Sequence, residues 1–185
     1  MVNPNVRLTY QDYINLPESD DKRYELIDGE LYLAPSPTPN HQFISIRLSK
    51  AIDDYVQSHG LGNVLYAPLD VVLSNQDVFQ PDILFVSRNR ESIISESNIQ
   101  GAPDLVVEIL SPGTADRDRT IKRARYFVHG VQEYWMVDPQ ANTIEVLTAG
   151  QDDFETVQVY GEDTSLTSPV LEGPVIRLQD IFSRA

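Results

Sequence analysis

Three charged residues stand where a folded chain must account for them: Glu108 inside an apolar run, Asp82 at the start of another, and Lys122 in a basic stretch further on. Glu108 interrupts Leu105, Val106, Val107, Ile109 and Leu110, a near-continuous apolar run typical of a strand buried on both faces. An ionised carboxylate there is costly unless a cation or several donors meet it. Glu108 therefore implies either a buried salt bridge or a metal ligand. Asp82 follows Pro81 and opens the segment that runs to Ser87. Alone it is more simply a turn or strand-start aspartate. If its strand lies beside that of Glu108, however, two carboxylates converge, and a divalent ion relieves their repulsion most readily. Hard oxygen ligands favour Mg²⁺ or Mn²⁺ over Zn²⁺. The chain has no cysteine, which excludes disulfides, thiolate zinc sites and cysteine nucleophiles together.

Asp118, Lys122 and Tyr126 are spaced i, i+4, i+8 and share one side of a helix. Beside them Ile121, Ala124 and Val128 form the predicted packing stripe. A lysine at that edge can reach back over the sheet to a phosphate or an attacking water; the commoner arrangement is a solvated pair with Asp118. From Arg117 to Arg125 stand Arg117, Arg119, Lys122, Arg123 and Arg125 against the single acid Asp118, the one obvious patch for phosphate contact. Arg117, Arg119, Arg123, Tyr126 and His41 are the candidate nucleic-acid contacts. His41 opens a long helix and could ligate, shuttle a proton or cap, and Tyr126 could equally be a buried helix tyrosine. Glu25 either adds a carboxylate to the site or pairs with Arg23 or Lys22. A nucleophile elbow, a Walker loop, an H-E-x-x-H pair and a dinucleotide fingerprint are all missing from the sequence.

The elements that must position these groups follow from periodicity and punctuation. Thr9 with Asp12 marks a short helix from Tyr10 to Leu16, ended by Pro17 and the polar run Glu18 to Lys22. Arg23 to Ile27 and Glu30 to Ala34 flank Asp28-Gly29, a two-residue hairpin signal. Ile44, Leu48, Ala51, Ile52 and Tyr55 predict a helix from Asn40 to His59, stopped by Gly60 and Gly62. Strands are expected at Asn63 to Ala67, Asp70 to Leu73, Asp82 to Ser87 and Asp104 to Leu110, with a polar connection from Arg88 to Gly101. A helix from Asp116 to His129 closes at Gly130, before a buried strand from Glu133 to Val137. Antiparallel strands at Ile144 to Leu147 and Thr156 to Tyr160, a strand near Val175 and a helical turn at Leu178 to Phe182 complete the chain. Length and the lack of repeats or linkers predict one domain over residues 1–185 of α/β (α+β) class: a mixed central sheet flanked by helices, with an added N-terminal hairpin and C-terminal antiparallel strands.

Pro81-Asp82, Glu108 on the next buried strand, and the helix and strand that follow resemble the PD-(D/E)XK nuclease superfamily. More closely, Tyr24 to Glu30 (YELIDGE), Asp104 to Pro112 (DLVVEILSP) and Gly130 to Pro139 (GVQEYWMVDP) are similar to the Uma-type restriction endonuclease family. The resemblance runs from about Arg23 to Leu147. It implies a restriction-endonuclease-like core in which Asp82 and Glu108 bind Mg²⁺ or Mn²⁺, with the backbone carbonyl of Ile109 as third ligand. Asp82, Glu108 and Lys122 are then the catalytic set, to which Glu25, in the family-like hairpin, is a further candidate. The sequence departs from the superfamily pattern two residues after Glu108, where Leu110 replaces the motif lysine. Lys122, on the following helix, is the substitute, as in relatives that carry the lysine there.

The expected activity is metal-dependent hydrolysis of nucleic-acid phosphodiesters, DNA foremost. The competing reading is an inactive nuclease fold that binds nucleic acid or a protein, motivated by Leu110 and by the net charge of −14, which opposes broad attraction to phosphate. Hydrolysis of another phosphate ester is a third. Carboxylates that bind metal count as negative until the ion arrives, which softens the charge argument. No signal-like N-terminus or membrane-length apolar run occurs, so a cytoplasmic protein without membrane contact is expected. A homodimer suits an enzyme that cuts both strands, although no heptad or other interface signature marks one.

Overall fold

A computed structural model describes residues 6–17, 23–173 and 176–183. The polar run 18–22 and the strand position at Val175 lie outside the described residues. Helix α1 (Tyr10–Ile14) begins with the capping box that Thr9 and Asp12 predict. Strands β1 (Arg23–Ile27) and β2 (Glu30–Ala34) form the expected hairpin. Asp28 and Gly29 turn it with φ of 50° and 75°, the two left-handed residues of a type I′ turn. Helix α2 (Pro39–His59) is capped by Thr38 and stopped by Gly60 at φ 63°.

Strands β3 (Gly62–Tyr66), β4 (Val71–Ser74), β5 (Asp77–Phe79) and β6 (Ile83–Ser87) follow, then a 3₁₀ turn (Arg88–Ile93), β7 (Ile99–Gln100) and β8 (Leu105–Ile109). The crossover from β8 is α3 (Ala115–Arg117), a π-helical turn (Asp118–Lys122) and α4 (Arg123–Val128). It leads to β9 (Glu133–Asp138), β10 (Thr143–Ala149), β11 (Phe154–Gly161), the short pair β12 (Ser165–Leu166) and β13 (Ile176–Arg177), and α5 (Leu178–Phe182). The central sheet has the order β11-β10-β9-β8-β6-β3, with β8 and β9 parallel and β6 antiparallel to β8. A second sheet, β2-β1-β5-β4-β7, holds the hairpin.

β8 is buried at all five residues, as its apolar run requires. Its Leu105, Val107 and Ile109 pack with Ile44, Leu48, Ile52 and Val56 of α2 and with α5. Its Val106 and, just past the strand, Leu110 share the other face with Tyr126 of α4, Tyr134 and Met136 of β9, and Ile27 and Phe79 of the second sheet. Strand alternation puts Glu108 on this second face, between the helix and the small sheet.

The helix after β8 corrects the expected packing stripe. Asp118, Lys122 and Tyr126 face inward, with 3%, 3% and 0% of their surface exposed, while Ile121 and Val128 are 41% and 67% exposed. Ala124 is exposed with them. An i, i+4 step drifts about 40° around an α-helix; the wider π turn between Asp118 and Lys122 alters that phase and keeps all three polar residues on the inner face. Substituting Ile121 or Val128 by lysine is therefore expected to change stability by no more than about 0.5 kcal/mol. Tyr126→Phe, which strips a buried donor from Glu108, should cost about 1–3 kcal/mol. Urea titration of the three variants checks the inversion; a Val128→Lys loss larger than that of Tyr126→Phe would contradict it.

Candidate functional site

Asp82 and Glu108 come together through strand register. Ile83 pairs with Val107 across β6 and β8, so the residue before one and the residue after the other stand opposite each other. Asp82 Oδ2 accepts the Ile109 N–H at 2.7 Å and lies 3.2 Å from His41 Nε2, delivered by the first turn of α2. Glu108 Oε1 accepts the Tyr126 hydroxyl at 2.7 Å and the Lys122 ammonium. Lys122 Nζ also lies 3.0 Å from Glu25 Oε1, 3.6 Å from Asp118 Oδ1 and 5.7 Å from the centre of the Phe79 ring. Five segments remote in sequence thus meet: the hairpin strand β1, the first turn of α2, the start of β6, the end of β8 and the inner face of the crossover helix.

One lysine faces more acid than it can neutralise. Burial pushes the Glu108 carboxyl well above the usual carboxylate range; Lys122 opposes the rise, and Asp118, Asp82 and Glu25 add to it. Burial likewise raises Asp118, against the pull of Lys122 and the Thr114 hydroxyl. For Lys122 burial acts downward, but Glu108, Glu25 and Asp118 outweigh it and hold the ammonium protonated. Burial and the charge of Glu108 also keep Tyr126 a phenol, and hence a donor. An excess of buried carboxylate around a single ammonium is the electrostatic condition under which a further cation binds favourably.

The donor chemistry fits Mg²⁺ or Mn²⁺. Asp82 Oδ1 and Glu108 Oε2 accept no hydrogen bond from the described residues, and both are hard oxygens. The Ile109 amide is spent on Asp82, which leaves its carbonyl as the group that could join them. Among the described residues no three histidine, aspartate or glutamate side chains are grouped as a ready-made metal cluster. An ion here would draw on two carboxylates, one carbonyl and solvent, a composition that suits Mg²⁺, which keeps several of its waters. His41 Nδ1, on the ring that meets Asp82, and Gln80 Oε1, two residues before Asp82 in the chain, are buried and find no partner among the described residues.

The site opens into a cavity of about 1360 Å³, bounded by the loop from Ala34 to Thr38, the outer face of α2 as far as Asp54, and the loop after β8. Arg23, Arg119 and Lys50 line it as well. The other basic residues of the Arg117 to Arg125 stretch are placed differently. Arg117 lies over the Tyr32 ring at 5.0 Å, Arg123 binds Asp153 and the Phe154 carbonyl, and Arg125 binds the buried Asp77. Arg119 lines the cavity while reaching Asp138 at 3.3 Å and Glu145 at 3.9 Å. Of the candidate contacts, His41 and Arg119 therefore face the cavity, whereas Tyr126 is fully buried behind Glu108. Sequence reasoning passed over Asp118 as a member of the cluster and Gln80 as a backbone donor to Glu25. The i, i+4 spacing of Asp118 to Lys122 was the available signal for the first; Gln80 gives none, because its contribution is a main-chain N–H.

Comparison with known proteins identifies the family and the fold. Residues 10–179 match the Uma2 family, described as "Putative restriction endonuclease". The chain is 27% identical over 154 residues to the uncharacterized protein slr1290 of Synechocystis sp., covering 80% of this chain and 78% of that protein. It is 21% identical over 139 residues to the uncharacterized protein sll1609 of the same organism, with 75% and 78% covered. The crystal structure of "a putative nuclease belonging to DUF820" from Anabaena variabilis superposes with a TM-score of 0.77 at 24% identity, over 95% of this chain and 97% of that one. With its matched span running from α1 to α5 and its core shared with that structure, the chain belongs to the Uma2 family and has the restriction-endonuclease-like fold of the PD-(D/E)XK superfamily.

Proposed function

We propose that the chain is a cytoplasmic, Mg²⁺- or Mn²⁺-dependent endonuclease that hydrolyses phosphodiester bonds in DNA. The observation that carries this reading is the buried Glu108–Lys122 pair with the partly buried Asp82 beside it in strand register, at the edge of an open cavity. Asp82, Glu108 and the Ile109 carbonyl would hold the metal, which when bound polarises the scissile phosphate and lowers the pKa of a coordinated water. The side chains supply the remainder. Arg119 and Arg23, at the cavity wall, meet the phosphate backbone. Lys122, kept charged by its carboxylates, orients the attacking water or donates to the charge that develops on the phosphate oxygens. Tyr126 fixes the rotamer of Glu108, and His41 with the Ile109 amide fixes that of Asp82. The family description, which names restriction endonucleases, supports DNA as the substrate.

Incubation with supercoiled plasmid and either ion is expected to give nicked or linear product, and Glu108→Gln to lose at least about 10³-fold of the rate. Equal cleavage by both proteins would overturn the assignment. A homodimer would yield linear product early; a monomer would accumulate nicks. One observation favours a second reading, a noncatalytic binding module: Arg123 and Arg125 are engaged within the chain, leaving few cations for phosphate. That reading expects no rise in melting temperature with Mg²⁺ or Mn²⁺, whereas a binding carboxylate pair gains about 2.7 kcal/mol at ion concentrations a hundredfold above Kd.

A further inference from the structure

We propose that Glu25 is the positioning residue for Lys122, holding the ammonium against the chain segment that delivers Asp82. The inference rests on the nuclease reading above and assigns Glu25 a task separate from metal binding. Glu25 projects from β1 and is 5% exposed. A single oxygen, Oε1, accepts both the Lys122 ammonium at 3.0 Å and the Gln80 N–H at 3.1 Å. Gln80 stands two residues before Asp82, separated from it by Pro81. One carboxylate oxygen therefore joins the group that acts on phosphate to the backbone that carries a metal-binding aspartate.

The carboxylates of the cluster are divided by what they touch. Asp82 meets the Ile109 amide and His41; Glu108 meets Tyr126 and Lys122. Glu25 meets Lys122 and a main-chain donor, and the hydrogen bonds its carboxylate accepts come from these two groups. The ammonium stands between Glu25 and Glu108, so that Glu25 approaches the metal-binding pair through the lysine. A lysine ammonium has three N–H donors on a flexible four-carbon stem. Here it has three carboxylates around it, from β1, β8 and its own helix. Without Glu25, Glu108 and Asp118 alone would draw Nζ, and the stem would be free to turn away from the small sheet.

Two variants separate positioning from ligation. Glu25→Gln keeps an acceptor oxygen for both donors, while Glu25→Leu keeps only the volume. For plasmid nicking with Mn²⁺, kcat is expected to fall about tenfold in Glu25→Gln and about a hundredfold in Glu25→Leu, with KM within about twofold of the parent, the scale of displacing a catalytic group by about an ångström. Mn²⁺ affinity, measured by calorimetry, should stay within about threefold in both, whereas Asp82→Asn should lose at least about tenfold. Acylation of lysines followed by mass spectrometry gives a readout independent of cleavage, with the exposed Lys50 as reference. Lys122 should label at least about tenfold faster in Glu25→Leu than in the parent, and at an intermediate rate in Glu25→Gln. A tenfold loss of Mn²⁺ affinity in Glu25→Gln would overturn the proposal and make Glu25 a ligand. Unchanged Lys122 labelling in either folded variant would overturn it whether or not the protein cuts DNA. A parent that binds Mn²⁺ and protects Lys122 but cuts no DNA would refute the nuclease reading and leave the positioning role standing.

Discussion

Lys122→Met is expected to cost about 3–5 kcal/mol of stability at neutral pH in the absence of divalent metal, the scale seen when one partner of a buried ion pair is removed. For a chain of this size that lowers Tm by about 6–20 °C. The substitution preserves the stem's packing and removes the one cation that forms ion pairs with Glu25, Glu108 and Asp118 among the described residues. The loss should depend on pH in a defined direction. Glu108 and Asp118 have folded pKa values raised by burial and by neighbouring carboxylates: Asp118, Asp82 and Glu25 for Glu108, and Glu25 for Asp118. A raised carboxylate contributes stability that is fully present below its unfolded value, near pH 4, and is lost as pH rises through the folded value. Deleting the ammonium raises the folded values further, so the deficit of the variant should shrink on acidification towards pH 5 and widen towards pH 8. Mn²⁺ should return part of it, because a divalent ion bound to Asp82 and Glu108 supplies the missing positive charge. Thermal melts of parent and variant across pH, with and without Mn²⁺, check each step; a deficit that grows on acidification would remove the electrostatic account.

Much of the fold was legible because local signals and burial agreed. The Asp28-Gly29 turn, the Thr9 cap, the Gly60 helix stop and the continuous apolar run around Glu108 each specify one local structure, and each is found as expected. The short strands β5 and β7 were not legible. They are three and two residues long, too short for a period to appear, and are defined by pairing with β1 and β4. The division into two sheets follows from those pairings and was equally out of reach.

The candidate site shows where sequence reasoning stops. Glu108 announced itself by the cost of a charge in an apolar strand, but what would meet that charge was not written locally: its partners are Tyr126 and Lys122, 18 and 14 positions away on the crossover helix. That helix offered two adjacent stripes, one apolar and one polar. Choosing the apolar stripe as the inner face follows the hydrophobic effect, which usually decides. Here the buried carboxylates required the polar one, and Ile121 and Val128 were left in solvent. The basic stretch was misleading for a related reason. Its acidic partners Asp77, Asp153 and Asp138 come from other elements, and composition alone cannot show that a cation is already engaged.

Asp77→Asn is expected to destabilise the protein by about 2–4 kcal/mol and to loosen the site from a distance. Asp77 opens β5 and is completely buried. It accepts the Asp28 N–H at 3.0 Å and the Ser74 hydroxyl at 2.8 Å, pairs with Arg125, and lies 3.0 Å from His129 Nε2. Arg125 belongs to α4 and His129 follows directly, so this carboxylate clamps the helix that carries Lys122 to the sheet that carries Glu25. The magnitude lies below the full cost of breaking a buried pair, because Arg125 is 28% exposed and regains some hydration. Burial alone would raise the Asp77 carboxyl, but hydrogen bonds from His129, Arg125, the Asp28 amide and Ser74 outweigh it and hold it well below the usual range. A depressed carboxylate contributes stability above its unfolded value, near pH 4, and that contribution disappears as pH falls through the folded value. The parent should therefore lose stability steeply below about pH 4, and Asp77→Asn should show a shallower slope there while being weaker at neutral pH. If the clamp also sets the approach of Lys122 to Glu25, the variant will acylate Lys122 faster at temperatures where it remains folded. Unaltered Lys122 protection alongside the stability loss would confine Asp77 to holding the fold together.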